Sequence, residues 1–143
     1  MKLPSEKVVY NSTPIYTSSN FAWGEATKNC TRYVQDLIID GILICTAEQI
    51  ENNIIETAKK LDRIREIFGS KPLYVNSWYR PSHINFRVGG SKHSRHQHGD
   101  AVDICSKYFN SQQIAYMLRD HPGGLGKYHS FVHIDWRGYK ARW

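Results

Sequence analysis

Cysteine is scarce in this 143-residue chain, which holds three: Cys30, Cys45 and Cys105. Their number is odd and no two are spaced Cys-x-x-Cys, so neither a disulfide framework nor a thiolate metal site is indicated. They read as small half-buried residues of a reducing compartment. Cys105, which follows an apolar strand, reads as a structural thiol; a nucleophile beside the histidines is the sharper alternative. Runs of eighteen apolar residues are absent, which excludes a spanning helix. Met1–Lys7 has no apolar core behind its lysine and does not read as a signal peptide, so the protein either stays where it is made or leaves by another route. Internal repeats and low-complexity tracts are also missing. Acidic residues are in deficit, 13 against 19 Lys and Arg, and the net charge of +6 favours anionic partners: nucleic acid, a membrane surface or an anionic wall polymer. With 41% hydrophobic and 22% charged residues, the composition is that of one globular domain with a genuine core.

Residues 1–19, with Pro4 and Pro14, read as an extended arm ahead of a single domain over 20–143. Ser18-Ser19-Asn20 caps a short helix through Phe21–Ala26. Tyr33–Ile39 is expected to be a second short helix, stopped by Asp40-Gly41. Thr46 with Gln49 three residues on is a capping-box signature and opens the longest helix, Thr46–Phe68. Ile50, Ile54, Ile55, Ala58, Leu61, Ile64 and Phe68 form its apolar stripe, and Gly69 ends it. The charges on that helix mix both signs and make a solvated face, not a nucleic-acid stripe. Leu73–Tyr79 alternates like a strand closed by Arg80-Pro81, and Ser82–Val88 makes a helical turn. A strand near 101–104, a helix from Asn110 to about Arg119, and strands over Gly126–Tyr128 and Phe131–Trp136 complete an α+β order.

Two clusters carry chemistry. His93, His96, His98, Asp100 and Asp103 fall within eleven residues, and His129, His133 and Asp135 lie about thirty further on. Imidazole and carboxylate together suit zinc in a tetrahedral shell. Two ligands on one segment and one from a second strand leave a position open, as a catalytic metal needs. Gly99 lets the chain turn between His96 and Asp103. Side-chain alternation places Asp103 on one face with Ala101 and Cys105, and His133 on one face with Phe131 and Asp135. If the two strands are neighbours, His133 meets His96 and Asp103. Such local patterns also arise among ordinary surface and core histidines.

Ser94-x-His96-x-x-Gly99-x-Ala101-x-Asp103, followed by Val132-His133-Ile134-Asp135, resembles the zinc D-alanyl-D-alanine carboxypeptidase and endopeptidase family, whose site architecture is shared with the Hedgehog signalling domain and with D-Ala-D-Ala dipeptidases. Asn20-Phe21-x-x-x-Glu25, Thr46–Asn52, Val75-x-Ser77-x-Tyr79-Arg80-Pro81, Asn85 and Gly89-Gly90 extend the likeness over roughly 20–137, to a compact single-domain subgroup. The resemblance implies a small antiparallel sheet carrying the site, packed against N-terminal helices. It implies one zinc ion per chain, held by His96, Asp103 and His133, which acidifies a water for attack on a D-Ala-D-Ala or similar bond of a bacterial stem peptide. Arg80 would face a substrate carboxylate or the oxyanion, with Ser94 and Tyr128 also touching the peptide.

One departure stands out. Many relatives carry a glutamate shortly before the last histidine as general base, whereas Gly123–Val132 contains no carboxylate. Asp135 is the nearer substitute, either taking the proton or orienting a ligand's second nitrogen, and His129 is the second. His93 and His98 are expected outside the ligand set and Asp100 at the surface. The function implied is a peptidoglycan peptidase, with a phage or prophage lysis enzyme as one setting. A zinc-stabilised binding module without turnover is the alternative. A nucleic-acid binder using Arg80, Arg87, Lys92 and Arg95 is disfavoured, because these charges do not cluster on one periodic element.

Overall fold

Trp23–Ala26 is the first helix (α1), and it follows an N-terminal stretch that is seated rather than loose. In the computed structural model, which describes residues 1–143, Leu3, Val9 and Ile15 are buried in the same apolar cluster as the rest of the chain. Leu37–Ile39 (β1) and Ile42–Cys45 (β2) then pair as an antiparallel hairpin. The helix expected over Tyr33–Ile39 does not form: residues 33–36 are irregular and Leu37–Ile39 is a strand. Asp40 and Gly41 have φ of 52° and 77°, the twin positive values of a tight hairpin turn. Asp-Gly between branched aliphatic runs is a hairpin signal, and here it outweighs the weak helical periodicity.

Ala47–Ile67 (α2) is the long helix. The Thr46 hydroxyl accepts from the Gln49 N–H at 3.1 Å, and the Gln49 side chain accepts from the Thr46 N–H at 2.8 Å. Ile50, Ile54, Ala58, Leu61, Ile64 and Phe68 are buried as the stripe requires, while Ile55 is half-buried at its margin. Two carboxylates on α2 hold the N-terminal stretch. Glu51 accepts from the Ser5 N–H at 2.9 Å. Asp62 accepts from the Tyr16 hydroxyl at 2.5 Å, the Ser19 hydroxyl at 2.8 Å and both nitrogens of Asn20.

Tyr74–Ser77 (β3), Ser82–Arg87 (α3), Ala101–Cys105 (β4), Ser111–Met117 (α4), Gly124–Lys127 (β5), Val132–Asp135 (β6) and Ala141–Arg142 (β7) follow. The five-stranded sheet has the order β3-β4-β6-β5-β7, antiparallel throughout except that β7 runs parallel to β5. Sequence periodicity gave no sign of β7. Strands β4 and β6 are neighbours with Asp103 opposite His133 and Val102 opposite Ile134. Val102, Ile104, Val132 and Ile134 face the core, where they join the α2 stripe. The opposite face of the same two strands is left to Asp103, His133 and Asp135.

Asp62 is the checkable anchor of this arrangement. Burial pushes its carboxyl up, but the hydrogen bonds from Tyr16, Asn20 and Ser19 outweigh that and hold it below its ordinary value. Burial and then Asp62 itself push Tyr16 up to about 12. A depressed carboxylate stabilises above its unfolded-state pKa and loses that contribution as pH falls through the folded-state value. Asp62→Asn should lower stability by about 1–3 kcal/mol at neutral pH. In urea titrations the gap between wild type and variant should close as the medium is acidified below the ordinary carboxylate range.

Candidate metal centre and its cleft

The site is built on a turn tied at both ends. Arg95–His98 is a single 3₁₀ turn, with the Ser94 hydroxyl accepting from the His96 N–H at 3.3 Å. Gly99 closes it at φ 79°; a Cβ there would lie 2.9 Å from Ile54 Cγ1 and 3.2 Å from the Ile50 carbonyl oxygen. The Gly99 carbonyl accepts from the Trp78 indole at 2.9 Å, and the Gln97 amide donates to the Lys92 carbonyl at 2.9 Å. The turn is thus pressed against α2 and tied to the end of β3, which delivers His96 beside Asp103 on β4.

His96 is 2% and His133 8% exposed, so neither ring is a surface histidine. His96 Nδ1 lies 2.6 Å from the Trp78 carbonyl oxygen, which only accepts, so Nδ1 carries the proton and Nε2 is turned towards Asp103 Oδ1 at 3.2 Å. His133 Nε2 lies 2.8 Å from Asp135 Oδ2, and its Nδ1 lies 3.0 Å from the same Asp103 Oδ1. One donor atom from each of His96, Asp103 and His133 therefore falls within 4.8 Å of the others. Two imidazole nitrogens and a carboxylate oxygen are the donors zinc prefers, and three protein ligands leave a fourth position. The residues fit such an ion.

The electrostatics agree with a site made for a cation. Burial pushes Asp103 up, yet the hydrogen bonds and charges of His133 and His96 hold it down to about 2. Burial lowers His133, and Asp103 with Asp135 more than reverse it.

Asp135 is 0% exposed and closely surrounded. Besides His133 it accepts from Arg137 Nη2 at 2.7 Å, Arg137 Nε at 2.9 Å and the Gly124 N–H at 3.1 Å. A Cβ on Gly124 would collide with that carboxylate. The arrangement has the form of a carboxylate holding the second nitrogen of a ligand histidine.

A cleft of about 820 Å³ opens over the three donors. Arg80, Ser94 and Tyr128 all line it, with Ile39 and Ile44 of the β1–β2 hairpin on its rim. Arg80 is held by its backbone N–H on the His96 carbonyl at 3.0 Å. Its buried Nε has no partner, and burial lowers its pKa against the pull of Asp103. The other guanidiniums of the lining, Arg95 and Arg137, are paired with Asp100 and Asp135. His93 and His98 also line the cleft without joining the donor triad. His129 lies outside the lining, on the exposed turn between β5 and β6. Asp100 was expected at the surface; it is 8% exposed, because Arg95 folds over it with contacts of 3.1 and 2.5 Å. Sequence reasoning missed Arg137 and Trp143. Arg137 carried a signal, since it lies two residues beyond Asp135 along the same strand direction.

The profile of the family described as Peptidase M15 matches residues 20–135. A zinc D-Ala-D-Ala carboxypeptidase of Streptomyces albus G is 35% identical over 69 residues, covering 48% of this chain and 27% of that protein. The matched stretch is thus about a quarter of the relative's length.

Gly99→Ala should be costly twice over, through the positive φ and through the contact with Ile54. A loss of at least about 2 kcal/mol is expected, measured as a lowered Tm with zinc uptake weakened in parallel.

Proposed function

Because the chain belongs to the peptidase M15 family, we propose that it is a zinc peptidase hydrolysing D-Ala-D-Ala or a related bond of bacterial peptidoglycan stem peptides. The observation that carries this reading is the convergence of His96, Asp103 and His133 donor atoms within 4.8 Å at the base of an open cleft. One ion per chain would be held there. When bound, the ion supplies Lewis acidity to a peptide carbonyl and acidifies a water to a pKa of about 7.

The protein groups divide the remaining work. The Trp78 carbonyl and the Asp135 carboxylate each take the outward proton of one imidazole, so both rings present a bare nitrogen to the ion. Of the two roles open to Asp135, its enclosure favours orienting His133 over exchanging a proton with the peptide. His129, outside the lining, is the weaker base for the same geometric reason. Arg80 is the unpaired cation of the cleft, suited to a C-terminal carboxylate or to the developing oxyanion. The Ser94 hydroxyl accepts from the His96 N–H and keeps its own proton for the peptide. The charge of +6 suits an anionic wall, with lysis by a phage or prophage as one setting in which such an activity serves.

A second reading keeps a specific observation behind it. Asp103 is the sole carboxylate on the cleft lining, and Gly123–Val132 supplies none. On that reading the chain is a zinc-stabilised module that binds wall peptide without turnover. Metal analysis combined with hydrolysis of terminal and cross-linked stem peptides, with and without a chelator, separates the two. Zinc near one per chain with chelator-sensitive cleavage is the expected result. Zinc without cleavage selects the binding module, and absence of zinc removes both.

Asp135→Asn tests the orienting role. Zinc affinity should fall by about 10- to 100-fold, read by competition with a chromogenic chelator, while the unfolding transition of the metal-loaded variant stays cooperative.

A further inference from the structure

We propose that Trp143 is a positioning residue of the cleft: its indole N–H fixes the Tyr128 hydroxyl so that the tyrosine's own proton is presented to a peptide lying over His96, Asp103 and His133. The proposal rests on the zinc-peptidase reading and adds a residue to it.

The direction of the hydrogen bond carries the inference. Trp143 Nε1 lies 2.8 Å from Tyr128 Oη. An indole nitrogen only donates, so the phenol oxygen is the acceptor in this pair. The Tyr128 hydroxyl makes no hydrogen bond to another group of the chain, and its proton is left for a ligand. Both residues line the cleft, and both stay accessible, at 43% and 48% exposure.

Both rings have packing partners. Tyr128 is stacked on Phe131, with centroids 4.6 Å apart and planes 11° from parallel, and its N–H donates to the Phe131 carbonyl at 3.0 Å. Trp143 follows β7 against β5, donating to the Leu125 carbonyl at 3.2 Å and accepting from the Lys127 N–H at 2.9 Å. Gly126 leaves the space that the indole fills, since a Cβ there would collide with Nε1 and Cε2. The Arg137 guanidinium lies 5.1 Å from the Trp143 ring centre, and the His133 ring lies 5.2 Å from it on the metal side. The indole therefore joins the wall of the donor triad to the tyrosine. A fixed O–H donor there suits a peptide carbonyl or the negative charge that develops on it during hydrolysis.

The test uses the zinc-loaded full chain and a D-Ala-D-Ala stem peptide, comparing Trp143→Phe, Tyr128→Phe, the double variant and Gly126→Ala, which pushes the indole aside with Trp143 intact. Each single change should lower kcat by at least about tenfold with a smaller change in KM, at unchanged zinc content and Tm. The double variant should be no slower than Tyr128→Phe, because the indole acts through that hydroxyl. Unchanged kinetics in Trp143→Phe, or single losses that multiply in the double variant, overturn the proposal and leave the peptidase reading standing. A wild-type chain that binds zinc and cleaves no stem peptide overturns both.

Discussion

Everything at the site depends on the register between β4 and β6, which sets Asp103 opposite His133. Side chains alternate along a strand, so a slip by one residue would send Asp103 and His133 into the core and bring Val102 and Ile134 out. The register is held from the apolar side. Val102, Ile104, Val132 and Ile134 are each 0% exposed, and burying four branched side chains is worth several kcal/mol. The chemistry on one face is thus placed by hydrophobic burial on the other.

His96 reaches the same point by a different constraint. It sits on a single 3₁₀ turn, which has little stability of its own. The turn persists because each of its polar ends has a partner: the Ser94 hydroxyl at its start, the Trp78 indole on Gly99 at its end, and Gln97 reaching back to Lys92. Gly99 is required for conformation and for contact together, since both its positive φ and the closeness of Ile54 exclude a side chain. Helix α2 thereby acts as the floor of the site, although no residue of α2 lines the cleft.

The sequence was legible where the governing signal was local. The capping box at Thr46 formed as read, because a side chain three residues away supplies the missing partner. The His-x6-Asp spacing with a separate histidine was legible through its glycine and through strand parity. The β1–β2 hairpin was misread because Tyr33–Ile39 is too short for periodicity to decide, and the Asp-Gly turn signal was assigned to a helix stop. Asp100 was placed outside because nothing local announces that Arg95 covers it. Strand β7 is two residues long and pairs in parallel with residues seventeen positions earlier in the chain, Gly124 with Ala141 and Leu125 with Arg142, so no local pattern marks it. What sequence leaves hidden is therefore contact made by tertiary folding alone.

The donor triad and its support belong to one structure. Two imidazoles and two carboxylates share a largely dry face, and unpaired charge there would cost several kcal/mol. Part of the balance is met by Arg137 on Asp135, and a metal ion held by His96, Asp103 and His133 would meet the rest. A cation that binds the folded chain and not the unfolded one adds its binding free energy to stability. Gly124 and Arg137, which close around Asp135, belong to β5 and to the chain leaving β6, and β7 seals the same edge. The groups that close around Asp135 thus come from the same sheet edge that walls the cleft, which makes the cleft wall part of the site's own support.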